Sequence, residues 1–203
     1  MANAQGVDIS KWQGNIDCQK VKAGGYSFAF AKATEGTTYV DPSFQANWRG
    51  MQAAGLVRGA YHFFWPTLDP VTQAEHFVQT VNPDAASLPP VLDLEKATIL
   101  DPSTLRDKVK AWLDKVESLT ARKAIIYTGS WYWNPHMLDD GRPPGWTQDY
   151  YLWIANYTTA AQPALPTGWS TWTFWQHTDH GIVDGINGHV DLDWYNGSSI
   201  ERL

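Results

Sequence analysis

The segment Pro89-Pro90-Val91-Leu92-Asp93-Leu94-Glu95 places two carboxylic acids two residues apart at the end of an apolar run. If the run is a strand, alternate side chains share a face and each residue advances about 3.3 Å. Asp93 and Glu95 then project together, their Cα atoms about 6.6 Å apart, and Leu94 points into the opposite layer. Two carboxyls at this distance disfavour each other's ionisation, so they can hold different protonation states. Glycoside hydrolysis needs that division: a protonated acid for the leaving oxygen and a charged group beside a cation-like transition state. The same pair could instead cap helices or hold a metal, and spacing alone leaves these readings open.

Asp8 and Asp191 extend the pattern. Each follows a valine (Val7, Val190) and precedes an apolar residue (Ile9, Leu192) in a short strand-like run. Taken singly, either could be a buried carboxylate bonded to backbone N–H groups. Taken with Asp93 and Glu95 they form a ring of four acids, which a purely structural core has little reason to carry.

Eight short runs read as strands, rich in β-branched and aromatic residues and bounded by Gly, Pro or polar clusters. They are Gly6–Ser10, Ser27–Lys32, Val57–Phe64, Pro90–Glu95, Ala124–Gly129, Tyr151–Asn156, Thr173–Thr178 and Val190–Tyr195. Asp41-Pro42, Asp69-Pro70 and Asp101-Pro102 announce helices over Pro42–Ala54, Pro70–Val81 and Pro102–Leu119. Aspartate accepts an orphan N–H at the N-cap, and proline fits the first helical position, where its missing donor costs nothing. The third shows Leu105, Val109, Trp112, Leu113 and Val116 on one face. A shorter helix is expected over Ile16–Ala23, stopped by Gly24-Gly25. Asn134–Thr147 and Thr158–Ser170 read as loops.

Strand–helix alternation predicts a parallel sheet, and eight strands predict closure. The chain has 203 residues, fewer than the ~250 of a full (β/α)₈ barrel. The expected fold is therefore an α/β protein, an irregular, flattened (β/α)₈-like barrel of eight strands and about four or five helices, as one domain over residues 1–203. First and last strands become neighbours on closure. Active sites of such barrels gather at the C-terminal strand ends, where this sequence puts Asp8, Lys32 with Glu35, Tyr61 with His62, Asp93 with Glu95, Tyr127, Asn156, Gln176 and Asp191 with Asp193.

The net charge of −6 and the lack of basic runs argue against nucleic acid as a partner. Apolar material is too plentiful for disorder, and no apolar run approaches the ~18 residues of a membrane span. A single cysteine, Cys18, cannot form an intrachain disulfide and reads as a structural thiol. Met1–Gly6 has neither a basic region nor an apolar stretch, so a mature or trimmed form, or export by another route, is expected. Tryptophan is abundant, with 12 copies; about half should be core. Aromatic faces also stack on sugars, and Trp12, Trp65, Trp131, Trp133, Trp175 and Trp194 lie near strand ends.

Motifs distributed in order from Gly6 to Gly197 resemble the glycoside hydrolase family 25 lysozymes, the Chalaropsis-type N-acetylmuramidases. They are Gly6-Val7-Asp8-Ile9-Ser10 with Gln13-Gly14, Phe28-Ala29-Phe30-Ala31-Lys32-Ala33-Thr34-Glu35-Gly36, Gly59-Ala60-Tyr61-His62-Phe63, Asp93-Leu94-Glu95, Ile126-Tyr127-Thr128, Leu152-Trp153-Ile154-Ala155, and Trp175-Gln176 followed by Val190-Asp191-Leu192-Asp193. Asp193 departs from a position where that family often has Asn.

The resemblance implies a flattened β/α barrel and hydrolysis of the β-1,4 bond between N-acetylmuramic acid and N-acetylglucosamine in bacterial peptidoglycan. It makes Glu95 the general acid and base, and Asp93 either the nucleophile or the group that steers the substrate's acetamido oxygen. Asp8 and Asp191 complete an acidic floor, with Tyr61, Lys32, Tyr127 and Gln176 in the cleft. Carboxyls lie about 5–5.5 Å apart in retaining enzymes and about 6.5–9.5 Å in inverting ones. A D-x-E pair falls between, and net retention through the acetamido group is the expectation.

No cofactor or metal is expected, and the partner is peptidoglycan, met by a monomer without nucleic acid or membrane. Action is expected outside the cell or at its wall, as for a phage endolysin. Two rival functions are a catalytically silent wall-binding module and a chitinase-like hydrolase. His177-Thr178-Asp179-His180 matches no strong zinc spacing and reads as a strand-end turn. His62 is expected to hydrogen-bond at the barrel mouth, and Gly181–Gly188 to form the loop before the last strand.

Overall fold

A computed structural model describes residues 2–200. Its nine strands are β1 (Ala4–Ile9), β2 (Phe28–Glu35), β3 (Tyr39–Val40), β4 (Val57–Phe63), β5 (Val91–Asp93), β6 (Ile125–Thr128), β7 (Tyr151–Ala155), β8 (Phe174–Gly181) and β9 (Val190–Tyr195). The five α-helices are α1 (Cys18–Ala23), α2 (Phe44–Ala54), α3 (Pro70–Val81), α4 (Pro102–Thr120) and α5 (Ser130–Met137). The sheet order is β1-β9-β8-β7-β6-β5-β4-β2-β3, and β1 also pairs with β2. That extra pairing closes eight strands into a barrel, leaving β3 as a two-residue flap on β2.

The pairings from β1 through β2 and β4 to β8 are parallel, but β9 runs antiparallel to both β8 and β1. The all-parallel expectation thus fails at the last strand. Only Ile182–His189 separate β8 from β9, too short for the crossover a parallel return needs.

Strand alternation sorts the core into two layers. Phe28, Phe30, Val91, Ile125, Trp153 and Phe174 fill the barrel interior. Val7, Ile9, Ala29, Ala31, Leu92, Leu94 and Ile126 face outward onto the helices. Inside, Phe30 stacks on Trp153 at 4.3 Å and Phe28 packs on Phe174 at 5.2 Å. The rings fit because their neighbours lack side chains: a Cβ at Gly6 would lie 2.3 Å from Phe28, and one at Gly59 2.2 Å from Phe30.

Helices α3 and α4 begin as the Asp-Pro pairs imply. Asp69 Oδ1 accepts Thr72 N–H at 2.7 Å and Asp101 Oδ1 accepts Thr104 N–H at 2.9 Å. The predicted face of α4 is fully buried. Asp41 behaves differently: α2 starts at Phe44 with Ser43 at its N-cap, while Asp41 accepts Ser43 N–H at 2.9 Å and, from across the fold, Lys11 N–H at 3.2 Å. It ties a loop rather than capping a helix. Helix α5 occupies part of a segment read as loop. It contains Pro135 and has almost no amphipathic pattern, but burying Tyr132, Trp133 and Met137 stabilises it where local propensity would not.

Candidate active site

The C-terminal strand ends converge on a cavity of about 220 Å³. It is lined by Asp8 from β1, Tyr61 from β4, Asp93 from β5 and Glu95 just beyond it, Tyr127 from β6, Trp153 and Tyr157 from β7 and the loop after it, Gln176 from β8, and Asp191 from β9. Strand β5 ends at Asp93, yet alternation persists past it. Leu94 N–H bonds to Tyr127 C=O at 2.9 Å, and the Leu94 side chain is buried among the helices. Asp93 and Glu95 therefore both face the cavity, with Leu94 turned away.

Seven of the eight residues read as candidates meet here. The eighth, Lys32, stands at the rim, where its Nζ pairs with Glu35 Oε2 at 2.7 Å. Trp65 Nε1–H donates to the other Glu35 oxygen at 2.9 Å.

A hydrogen-bond hub centred on Gln176 organises the cavity. Gln176 Nε2 donates to Asp8 Oδ2 at 2.7 Å, while its Oε1 accepts from Tyr127 OH at 2.8 Å and from Tyr157 OH at 2.8 Å. Asp193, one inward step below Asp191 on β9, is fully buried and accepts Trp153 Nε1–H at 2.8 Å. Oδ1 of Asp93 has no protein partner.

The electrostatics follow from gathering acids in a poorly solvated place. Burial, then Glu95, raises the Asp93 carboxyl well above the usual range, against the pull of Lys32. Burial raises Glu95 too, with Lys32 opposing and Asp191 adding. Asp8 is raised well above the usual range by burial, then by Asp191 and Asp193. Asp191 is pushed up to about 6 by burial and then Asp179. Burial keeps the Tyr61 and Tyr127 hydroxyls protonated. All four carboxyls are thus shifted towards holding their protons more tightly, the direction a general acid needs.

A second recess of about 440 Å³ adjoins the first, lined by Glu95, Tyr127, Trp131, Ala155, Asn156 and Tyr157. Glu95 stands where the two meet. Trp131 is 61% exposed, as a stacking platform must be. Trp133 and Trp175, by contrast, are core.

Tyr157 and Trp153 escaped the sequence reading. Trp153 was findable, because alternation along β7 turns it inward while Leu152 and Ile154 face out. Tyr157 lies beyond β7, where no periodicity applies. His62 is not at the mouth. Alternation, which turns Tyr61 inward, turns His62 outward, where Nδ1 lies 2.7 Å from Thr34 Oγ1 and Nε2 3.1 Å from Gln73 Oε1. Burial lowers its pKa to about 3, so it is a neutral structural group. His177–His180 lie on β8 rather than in a turn; His177 stacks on Trp194 at 4.1 Å and His180 contacts Asp179. No cluster of three or more His, Cys, Asp or Glu among the described residues is arranged to hold a metal.

Comparison with known proteins gives a consistent picture. The family profile "Glycosyl hydrolases family 25" matches residues 7–186. "Lysozyme M1" of Streptomyces globisporus is 37% identical over 212 residues, covering 100% of this chain and 71% of the relative. The "N,O-diacetylmuramidase" of Chalaropsis sp is 30% identical over 204 residues, covering 92% and 95%. The crystal structure of the bacterial lysozyme from Streptomyces coelicolor superposes with a TM-score of 0.90 at 36% identity, covering 98% of this chain and 94% of that one.

Proposed function

Because the chain belongs to the glycosyl hydrolases of family 25, we propose that it is a lysozyme that cuts the β-1,4 bond between N-acetylmuramic acid and N-acetylglucosamine in peptidoglycan. The observation that carries this reading is the position of Glu95 at the junction of an acid-lined cavity and an aromatic-walled recess. A glycan threaded through both would place one glycosidic oxygen beside the Glu95 carboxyl.

In this scheme protonated Glu95 gives its proton to the leaving oxygen as the C1–O bond breaks. The acetamido oxygen of the same sugar attacks C1, and Asp93 holds the acetamido N–H. Water, deprotonated by Glu95, then opens the cyclic intermediate and restores the acid, giving net retention. Two features support Asp93 as a steering group rather than a free nucleophile: its raised proton affinity, and an oxygen without a protein partner. Asp8, Asp191, Tyr61, Tyr127 and Gln176 shape the pocket, and Lys32 biases both acids from the rim.

One barrel supplies every lining residue, which supports a single catalytic domain acting as a monomer at the cell wall. No helix among the described residues is long and apolar enough to cross a membrane. The test is clearance of a cell-wall suspension alongside chitin, with NMR of the first-formed anomer. Wall clearance with a retained anomer is expected. An inverted anomer overturns the acetamido route, and chitin cleavage without wall clearance overturns the substrate.

A further inference from the structure

In a chain of net charge −6, three lysines gather on one flank of the site, just outside the residues that line its two recesses. Lys11 follows β1, Lys32 lies on β2, and Lys96 follows Glu95 directly. Their ammonium groups rest on a connected series of rings. Lys11 Nζ lies 4.8 Å from the Trp12 centroid and 5.3 Å from that of Tyr39. Lys32 Nζ lies 5.9 Å from Tyr39 and 4.7 Å from Phe63. Lys96 Nζ lies 5.9 Å from Phe63 and 3.8 Å from Trp65.

Three ammonium groups face two nearby carboxylates, so the local charges cancel only in part. Glu35 spends one oxygen on Lys32 and the other on Trp65, and the buried Asp41 is bonded to backbone N–H groups. Among the described residues Lys32 is ion-paired and neither Lys11 nor Lys96 is. Ring faces hold an ammonium in place without neutralising it, so exposed Lys11, also bonded to Tyr39, and half-buried Lys96 remain positioned cations without an ion pair. The flank is continuous with the reacting groups, since Phe63 pairs in register with Asp93.

The muramidase reading supplies a matching anion. Each muramyl residue carries, through its lactyl group, a short peptide with free carboxylates, which must leave the cleft over one wall. We propose that Lys11 and Lys96, seated on Trp12, Tyr39 and Trp65, bind the carboxylates of this peptide stem, making the protein selective for glycan that bears its peptides. The proposal rests on the muramidase reading, and its test separates the two.

Walls freed of phosphate-bearing polymers are divided, and one half is treated with an amidase that removes the stems. Hydrolysis of the amide frees the lactyl carboxylate, so the stripped glycan loses the peptide carboxylates and gains one held at the sugar, and the comparison asks whether carboxylates carried out along the peptide are the ones bound. Hydrolysis of both is measured for the unaltered protein, for Lys11→Ala/Lys96→Ala and for Lys11→Arg/Lys96→Arg. Co-sedimentation with both is measured in a Glu95→Gln background, independently of hydrolysis. Exposed charge pairs are individually weak, so the alanine pair should lose about fivefold in kcat/KM and in binding on stemmed glycan. On stripped glycan it should lose less than about twofold, the arginine pair should restore selectivity, and about 0.5 M salt should erase it. Equal losses on both glycans, or no loss on stemmed glycan, overturn the proposal. Selective sedimentation without hydrolysis of either glycan by the unaltered protein leaves the lysine flank standing and sinks the muramidase reading instead.

Discussion

Asp8 and Asp191 stand directly opposite each other where the first and last barrel strands pair antiparallel. Opposed residues of such a pair point to the same face, their Cα atoms about 4.5–5.5 Å apart. Closing the barrel therefore presses two acids together over an aromatic interior, and the hydrogen bond between them lowers Asp191 while burial raises it.

That relationship sets a dependence of stability on pH. The Asp191 value is raised from 3.8 to about 6 on folding, so the folded state binds this proton more tightly. The stabilisation is complete below the unfolded value and is lost as pH rises through about 6. Asp191→Asn, which cannot ionise, should melt higher than the unaltered protein at pH 7, and the gap should close towards pH 4. A gap that widens on acidification, read by thermal unfolding across that range, would contradict this.

Glu95→Gln keeps the shape of the side chain and removes the proton it delivers. Loss of a positioned general acid costs about 10²–10⁴ in rate, so wall clearance should fall by that order while the melting temperature barely moves. Near-normal clearance would remove Glu95 from the role of acid.

Lys32 and Asp191 pull Glu95 in opposite directions, Lys32 lowering its proton affinity and Asp191 raising it. In Lys32→Met the alkaline limb of the profile of kcat/KM against pH should move up, because Glu95 keeps its proton longer. In Asp191→Asn it should move down. Shifts of the same sign in both variants would show that Glu95 does not set that limb.

Gln176 bonds to one acid and two tyrosines at once. Gln176→Leu leaves all three groups without that partner in a largely buried place, at about 1–3 kcal/mol for each group that water cannot reach. Chemical denaturation should show a clear loss of stability, accompanied by weaker substrate turnover. Unchanged stability would mean that water replaces the amide.

Gly59→Ala tests the barrel interior. Its Cβ would fall 2.2 Å from the Phe30 ring, and overpacking of this kind costs about 1–3 kcal/mol. The denaturation midpoint should drop, and Phe30→Leu in the same chain should recover part of the loss. A midpoint that holds in Gly59→Ala would show that the interior has slack.

Much of this was legible in the sequence because strand alternation is a local rule. The Asp-Leu-Glu run determined that Asp93 and Glu95 share a face, the Asp-Pro pairs determined where α3 and α4 begin, and the eight barrel strands follow from their composition. Applied strictly, the same rule places Trp153 inside and His62 outside. What no local rule contains is the direction of β9, the loop-borne Tyr157, the helix at Ser130–Met137 and the tie made by Asp41. Each of these depends on what the rest of the chain has already buried. Proton affinity belongs with them: an acid's identity is written in the sequence, but whether it keeps its proton depends on lost water and on which other acids are brought near, and only closure of the barrel decides both.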